Sequence, residues 1–166
     1  MNSTSIWYER VPKVELHLHL EGAIPQEALW QLIQKYGGDP AVPDMAALRQ
    51  KFQYRDFPHF IETWVWKNQF LREYDDFTFI AEAVAQNLAR QNVKYAEMFY
   101  TPSDFFRHGL EVQKLTAAIR TGLSRVKQIE TALILDFCRD RGPDNADRNL
   151  DAVKEMKREK AATGLV

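Results

Sequence analysis

Apolar spacing along this chain switches repeatedly between a period of two and a period near 3.6, and that switching restricts the fold more than any single residue does. Lys13 to Leu20 alternates, with Leu16, Leu18 and Leu20 on one side and Glu15, His17 and His19 on the other, which predicts a strand. Pro25, Gln26 and Glu27 open a helix that aligns Leu29, Leu32, Ile33 and Tyr36, and Gly37 and Gly38 stop it. A loop with Pro40 and Pro43 follows. Asp56 caps the next helix, whose apolar stripe is Phe57, Phe60, Ile61, Trp64 and Val65. Asp75 or Asp76 caps another, with Phe77, Ile80, Ala81, Val84 and Leu88 inward. Val93 to Tyr100 reads as a second strand, Glu111 to Ile129 as a long helix, Thr131 to Phe137 as a third strand and Asn145 to Thr163 as a helix. The third strand is nearly continuous in apolar residues, the mark of a strand covered on both faces.

Strand, helices, strand, helix, strand, helix is a repeated βα order, which requires a parallel sheet with helical crossovers. Gly164 has the place of a helix C-cap, and Leu165-Val166 that of the start of a fourth strand. A (β/α)₈ barrel takes about 250 residues. The expected architecture is therefore α/β: the N-terminal part of a TIM (β/α)₈ barrel, about three βα units with parallel strands. On this reading residues 1–166 are one portion of a single barrel domain, cut at the start of its fourth strand.

Composition removes whole classes of function. Four Trp, six Tyr and ten Phe supply enough apolar surface to exclude disorder. A net charge of −1 provides no basic field for phosphate contacts, so no nucleic-acid partner is expected. No stretch approaches the roughly 20 apolar residues of a membrane span. The single cysteine, Cys138, excludes a Cys-rich zinc site, and one unpaired thiol fits a reducing compartment, so a cytoplasmic protein is expected.

The chemistry concentrates in Pro12-Lys13-Val14-Glu15-Leu16-His17-Leu18-His19-Leu20-Glu21-Gly22. Two histidines two residues apart on a strand project from one face, about 6.6 Å apart. Imidazoles so spaced can converge on one divalent ion, or can be hydrogen-bonded side chains of a barrel interior. Glu21 follows with the same parity, and Gly22 permits a sharp exit from the strand. A barrel strand presents its active groups at its C-terminal end, the end this motif occupies.

PKVELHLHLEGAI at the start of a βα chain resembles the first strand of the adenosine deaminase family of the amidohydrolase superfamily. Val93 to Pro102 (VKYAEMFYTP) is similar to that family's second strand, Leu133 to Arg139 (LILDFCR) to its third, and Asp56 to Trp64 (DFPHFIETW) to the helix over its substrate pocket. The likeness runs from Pro12 to Val166. It implies that His17 and His19 are two ligands of one divalent metal ion, usually Zn²⁺. It implies that Glu21 hydrogen-bonds the substrate, together with His19, and that Phe57, Phe60, Ile61 and Trp64 form an apolar lid. A stripe at this spacing is also the ordinary pattern of a helix packed on a core, so that reading stays open.

The implied reaction is hydrolytic deamination at purine C6. The metal lowers the pKa of a water, the hydroxide attacks C6, and a glutamic acid protonates the ring nitrogen as ammonia leaves. The family draws its third metal histidine, that glutamate, a further histidine and a pair of aspartates from later strands. His59 and His108 cannot replace them, so no catalytic residue is expected within this chain and the 166 residues alone should be inactive. The alternative is a non-catalytic half-barrel, whose unpaired strand edge predicts self-association. The implied partner is a purine nucleoside or base. Adenosine is the first expectation. Two departures, Glu21 where animal-type enzymes have Asp and Phe99 where they have Arg, keep adenine and aminofutalosine-type substrates open.

Overall fold

A computed structural model describes residues 3–158. Three strands, β1 (Lys13–His19), β2 (Val93–Tyr100) and β3 (Glu130–Leu135), pair in parallel in the order β1-β2-β3. Seven helices are described: α1 (Ser3–Arg10), α2 (Gln26–Lys35), α3 (Met45–Lys51), α4 (Phe57–Lys67), α5 (Tyr74–Arg90), α6 (Val112–Ser124) and α7 (Pro143–Arg158). Parallel neighbours need a crossover between them; α5 leads into β2 and α6 into β3.

The core lies between the sheet and these crossovers. Phe77, Ile80, Ala81, Val84 and Leu88 of α5 meet Leu115, Ile119 and Leu123 of α6 and the buried face of β2, Ala96, Met98 and Tyr100. The two helices touch at Gly122, where a Cβ would come within 2.9 Å of Ala81 Cβ and 3.0 Å of Glu82 N. Tyr100 brings its hydroxyl into this core because Thr116 shares a 2.6 Å hydrogen bond with it.

Several expectations are corrected here. β1 does not alternate throughout. Val14 and Glu15 lie opposite Tyr95 and Ala96, whereas Leu18 and His19 lie opposite Met98 and Phe99. Three steps along β1 match two along β2, so an extra residue at Leu16–His17 reverses the parity. Leu16, expected on the same side as Leu18, is 57% exposed, while Leu18 packs on the core. Helix α5 is capped by Glu73, with Asp76 at its third position accepting from the Glu73 N–H at 3.0 Å.

Helix α6 ends at Ser124 rather than Ile129, because the Arg125 and Val126 N–H groups turn back to the Gly122 and Leu123 carbonyls. β3 stops at Leu135, short of Phe137. The Pro40–Pro43 loop leads into α3, which Asp44 caps through the Ala47 N–H. Helix α2 ends as expected, with Gly37 and Gly38 at φ +90° and +83°. The expected helix end through Thr163, the Gly164 cap and the Leu165-Val166 strand lie outside the described residues.

Candidate active site

β1 ends at His19, and Leu20 continues the ladder by one bond, its N–H reaching Phe99 O at 2.8 Å. The chain then turns through a short 3-10 segment, Glu21–Ala23. The reversal of parity at Leu16–His17 does not separate the histidines. The His17 ring stacks on Phe99 with centroids 4.3 Å apart, the His19 ring lies 5.5 Å from the same phenyl group, and the two imidazoles are 5.3 Å apart. With metal–nitrogen bonds near 2.1 Å and tetrahedral angles, two imidazoles on one zinc ion would have centroids about 5.2 Å apart. Burial lowers the pKa of His19 and Asp136 opposes it, which favours the neutral imidazole a metal requires. The pair therefore fits two ligands of a divalent ion. Among the described residues no group of three or more His, Cys, Asp or Glu could hold one, and a catalytic zinc needs a third protein ligand.

Glu21 is 1% exposed. Its Oε1 accepts from the Thr101 N–H at 3.0 Å, just beyond the end of β2, while Oε2 has no hydrogen-bond partner among the described residues. Burial pushes the carboxyl above its ordinary pKa, and the Thr101 N–H and the charge of Lys67 oppose that shift. Thr101 also donates from Oγ1 to Asp136 Oδ2 at 3.3 Å, which ties the end of β2 to the end of β3. The C-terminal ends of all three strands thus converge, as a barrel site requires.

Helix α4 lies over this convergence. Asp56 caps it as expected, accepting from the His59 N–H at 2.8 Å, with Pro58 in the first turn. Its buried residues are Thr63 and Lys67, not the aromatic stripe. Phe57 is 72% exposed and Ile61 41%. Phe60, Ile61 and Trp64 line a cavity of about 260 Å³ with His19, Thr101 and Asp136. Phe57 stacks on Phe60, centroids 6.0 Å apart, and does not line the cavity. Trp64 meets His19 edge-on at 6.0 Å. Gly22 has a role other than a sharp exit: a Cβ there would come within 3.0 Å of Trp64 Cζ3.

The site thus gathers His17, His19, Glu21, Phe60, Ile61 and Trp64, and adds Thr101, Asp136 and Lys67, which the sequence did not single out. Thr101 and Asp136 could have been found as the first polar residues after β2 and β3. A family model for adenosine deaminase matches residues 12–165. The chain belongs to the adenosine deaminase family. An adenine deaminase from Bordetella avium is 33% identical over 162 residues, covering 96% of this chain and 51% of the relative.

Solved structures agree on the fold. An adenine deaminase from Arthrobacter aurescens superposes with a TM-score of 0.79 at 27% identity, covering 88% of this chain and 46% of that one. An amidohydrolase from Burkholderia ambifaria with bound zinc superposes with a TM-score of 0.81 at 27% identity, covering 100% of this chain and 46% of that one. The chain spans about half the length of the curated relatives it matches. Its three βα units are the N-terminal part of a (β/α)₈ barrel of this deaminase family.

Proposed function

We propose that the protein containing this chain is a metal-dependent hydrolase that removes the 6-amino group of a purine as ammonia, and that adenine rather than adenosine is its substrate. The observation that carries this reading is the pair of imidazoles 5.3 Å apart beside a buried carboxylate with a free oxygen. His17 and His19 would hold the metal, which when bound activates water for attack on an electron-poor ring carbon. Glu21 Oε2 would accept a hydrogen bond from the purine; Thr101 holds the other carboxylate oxygen, and Oε2 has no partner among the described residues. Trp64, Phe60 and Ile61 would cover the flat ring and exclude water.

Adenosine, the first expectation from sequence, gives way to adenine on two supports. Glu21 stands where animal-type adenosine deaminases carry Asp, and the Bordetella and Arthrobacter relatives are adenine deaminases. A cytoplasmic location is part of the proposal, supported by the single thiol.

The test is ammonia release from adenine, adenosine and aminodeoxyfutalosine by the complete protein, with metal analysis. Adenine should be turned over with the highest kcat/KM. His17→Ala and His19→Ala should lose metal and turnover together. Glu21→Ala should keep its metal and raise KM by about tenfold to a hundredfold, as loss of one charge-assisted hydrogen bond does. Loss of metal in Glu21→Ala would move that residue into the metal shell, and a preference for adenosine would overturn the substrate assignment.

A further inference from the structure

Lys67 ends α4 with its side chain turned into the protein, 3% exposed. Its Nζ lies 3.7 Å from the centroid of the Trp64 ring and donates to Asn68 Oδ1 at 3.0 Å. A lysine ammonium is rarely left this far from water: burial pulls its pKa down to about 7, and the negative charges of Glu21 and Asp104 only partly oppose that shift. The cation meets the indole where little water competes, the setting in which a cation–π contact is strongest.

Trp64 is held from other directions as well. Its edge meets His19, the rings at 87°, and its Cζ3 occupies the space left by the missing side chain of Gly22. Phe60 packs on it with centroids 6.0 Å apart. What remains of the indole borders the cavity. An apolar side chain in place of Lys67 would fill the same volume, but would not attract the face of the ring.

We infer that Lys67 is a positioning residue for ligand recognition: it fixes the Trp64 indole against Gly22 and His19 as a flat wall for a heteroaromatic ring. Lys67 does not line the cavity. Its removal therefore weakens binding and leaves the histidine pair in place. The inference rests on the purine-site reading for the identity of the ligand, but the placement of Trp64 by Lys67 is separable from it.

The experiment uses the complete protein with Lys67→Met, Lys67→Arg and Lys67→Gln, each also made with Trp64→Phe so that the fluorescence of Trp64 is obtained by difference. Lys67→Met should raise KM for the purine about tenfold, because a desolvated cation–π contact is lost. Its kcat should stay within about threefold and its metal content should not change, the pattern of lost ground-state binding. The emission of Trp64 should become open to acrylamide quenching. Lys67→Arg, whose guanidinium also stacks on aromatic faces, should restore protection of Trp64 and most of the affinity. If Lys67→Met does not fold, Lys67→Gln carries the same readouts. Unchanged quenching and KM would overturn the inference, as would a loss confined to kcat or to metal content. If the unaltered protein deaminates no purine, the function reading fails, and the quenching data still decide whether Lys67 places Trp64.

Discussion

Helix α5 turns Phe77, Ile80, Ala81, Val84 and Leu88 into the core, whereas α4 turns Thr63 and Lys67 inward and leaves Phe57, Ile61 and Val65 on its open side. Both helices carry apolar residues at the spacing of one helical face. In α5 that face meets α6 and β2, and the exposed positions include Asp75, Gln86 and Arg90, so the pattern has its usual cause. In α4 the inward positions are polar and internally satisfied. Thr63 Oγ1 donates to His59 O at 2.9 Å and Lys67 donates to Asn68. The apolar face of α4 borders the cavity at the strand ends instead. Periodicity identifies a face and its direction, but not what the face meets.

The comparison can be broken by making one substitution in both helices. Phe77→Ala should cost about 3–5 kcal/mol, because Phe77 is fully buried against Phe105 and the core. Phe57→Ala should change stability by less than about 0.5 kcal/mol. Denaturant unfolding of the complete protein measures both, and equal losses would mean that α4 packs as α5 does.

A smaller effect is expected at the two glycines, which sharpen the contrast between packing against backbone and packing against a side chain. Gly122→Ala pushes a methyl group into α5 and should cost about 1–3 kcal/mol, since helix backbone gives little. Gly22→Ala meets the rim of Trp64 and, less closely, His19 Cβ, side-chain atoms that can give by a few tenths of an ångström. It should cost less stability and instead raise KM for the purine, because the displaced indole is part of the cavity wall. Steady-state kinetics beside unfolding curves separates the two outcomes.

Much of this was legible in the residues. The βα order follows from changing periodicity, and β2 falls on Val93–Tyr100, where Ala96, Met98 and Tyr100 alternate into the core. The helix starts at Asp56 and the stop at Gly37-Gly38 follow from capping chemistry. The extra residue in β1 was hidden, because Leu16, His17 and Leu18 alternate perfectly as letters and only pairing with β2 reveals the slip. His17, His19 and Glu21 stand out because the string around them resembles the family's first strand; their spacing alone also fits hydrogen-bonded side chains of a barrel interior. Thr101 and Asp136 come from separate strand ends and meet only once the sheet is assembled. Lys67 was hidden because a lysine at a helix C-terminus is ordinarily a solvated cation complementing the helix dipole. Its burial follows from where the whole of α4 is placed.

The opposite uses of α4 and α5 are tested most directly by one pair of isoleucines, Ile80 in the core and Ile61 on the cavity wall. Ile80→Ala and Ile61→Ala would be compared in the complete protein for unfolding free energy and for KM toward the purine. Ile80→Ala should lose about 2–5 kcal/mol of stability with KM unchanged, the cost of a cavity in a close-packed core. Ile61→Ala should lose less than about 0.5 kcal/mol while KM rises several-fold. A large stability loss at Ile61 with no change in KM would contradict the account, because it would make the stripe of α4 a core face and remove it from the site.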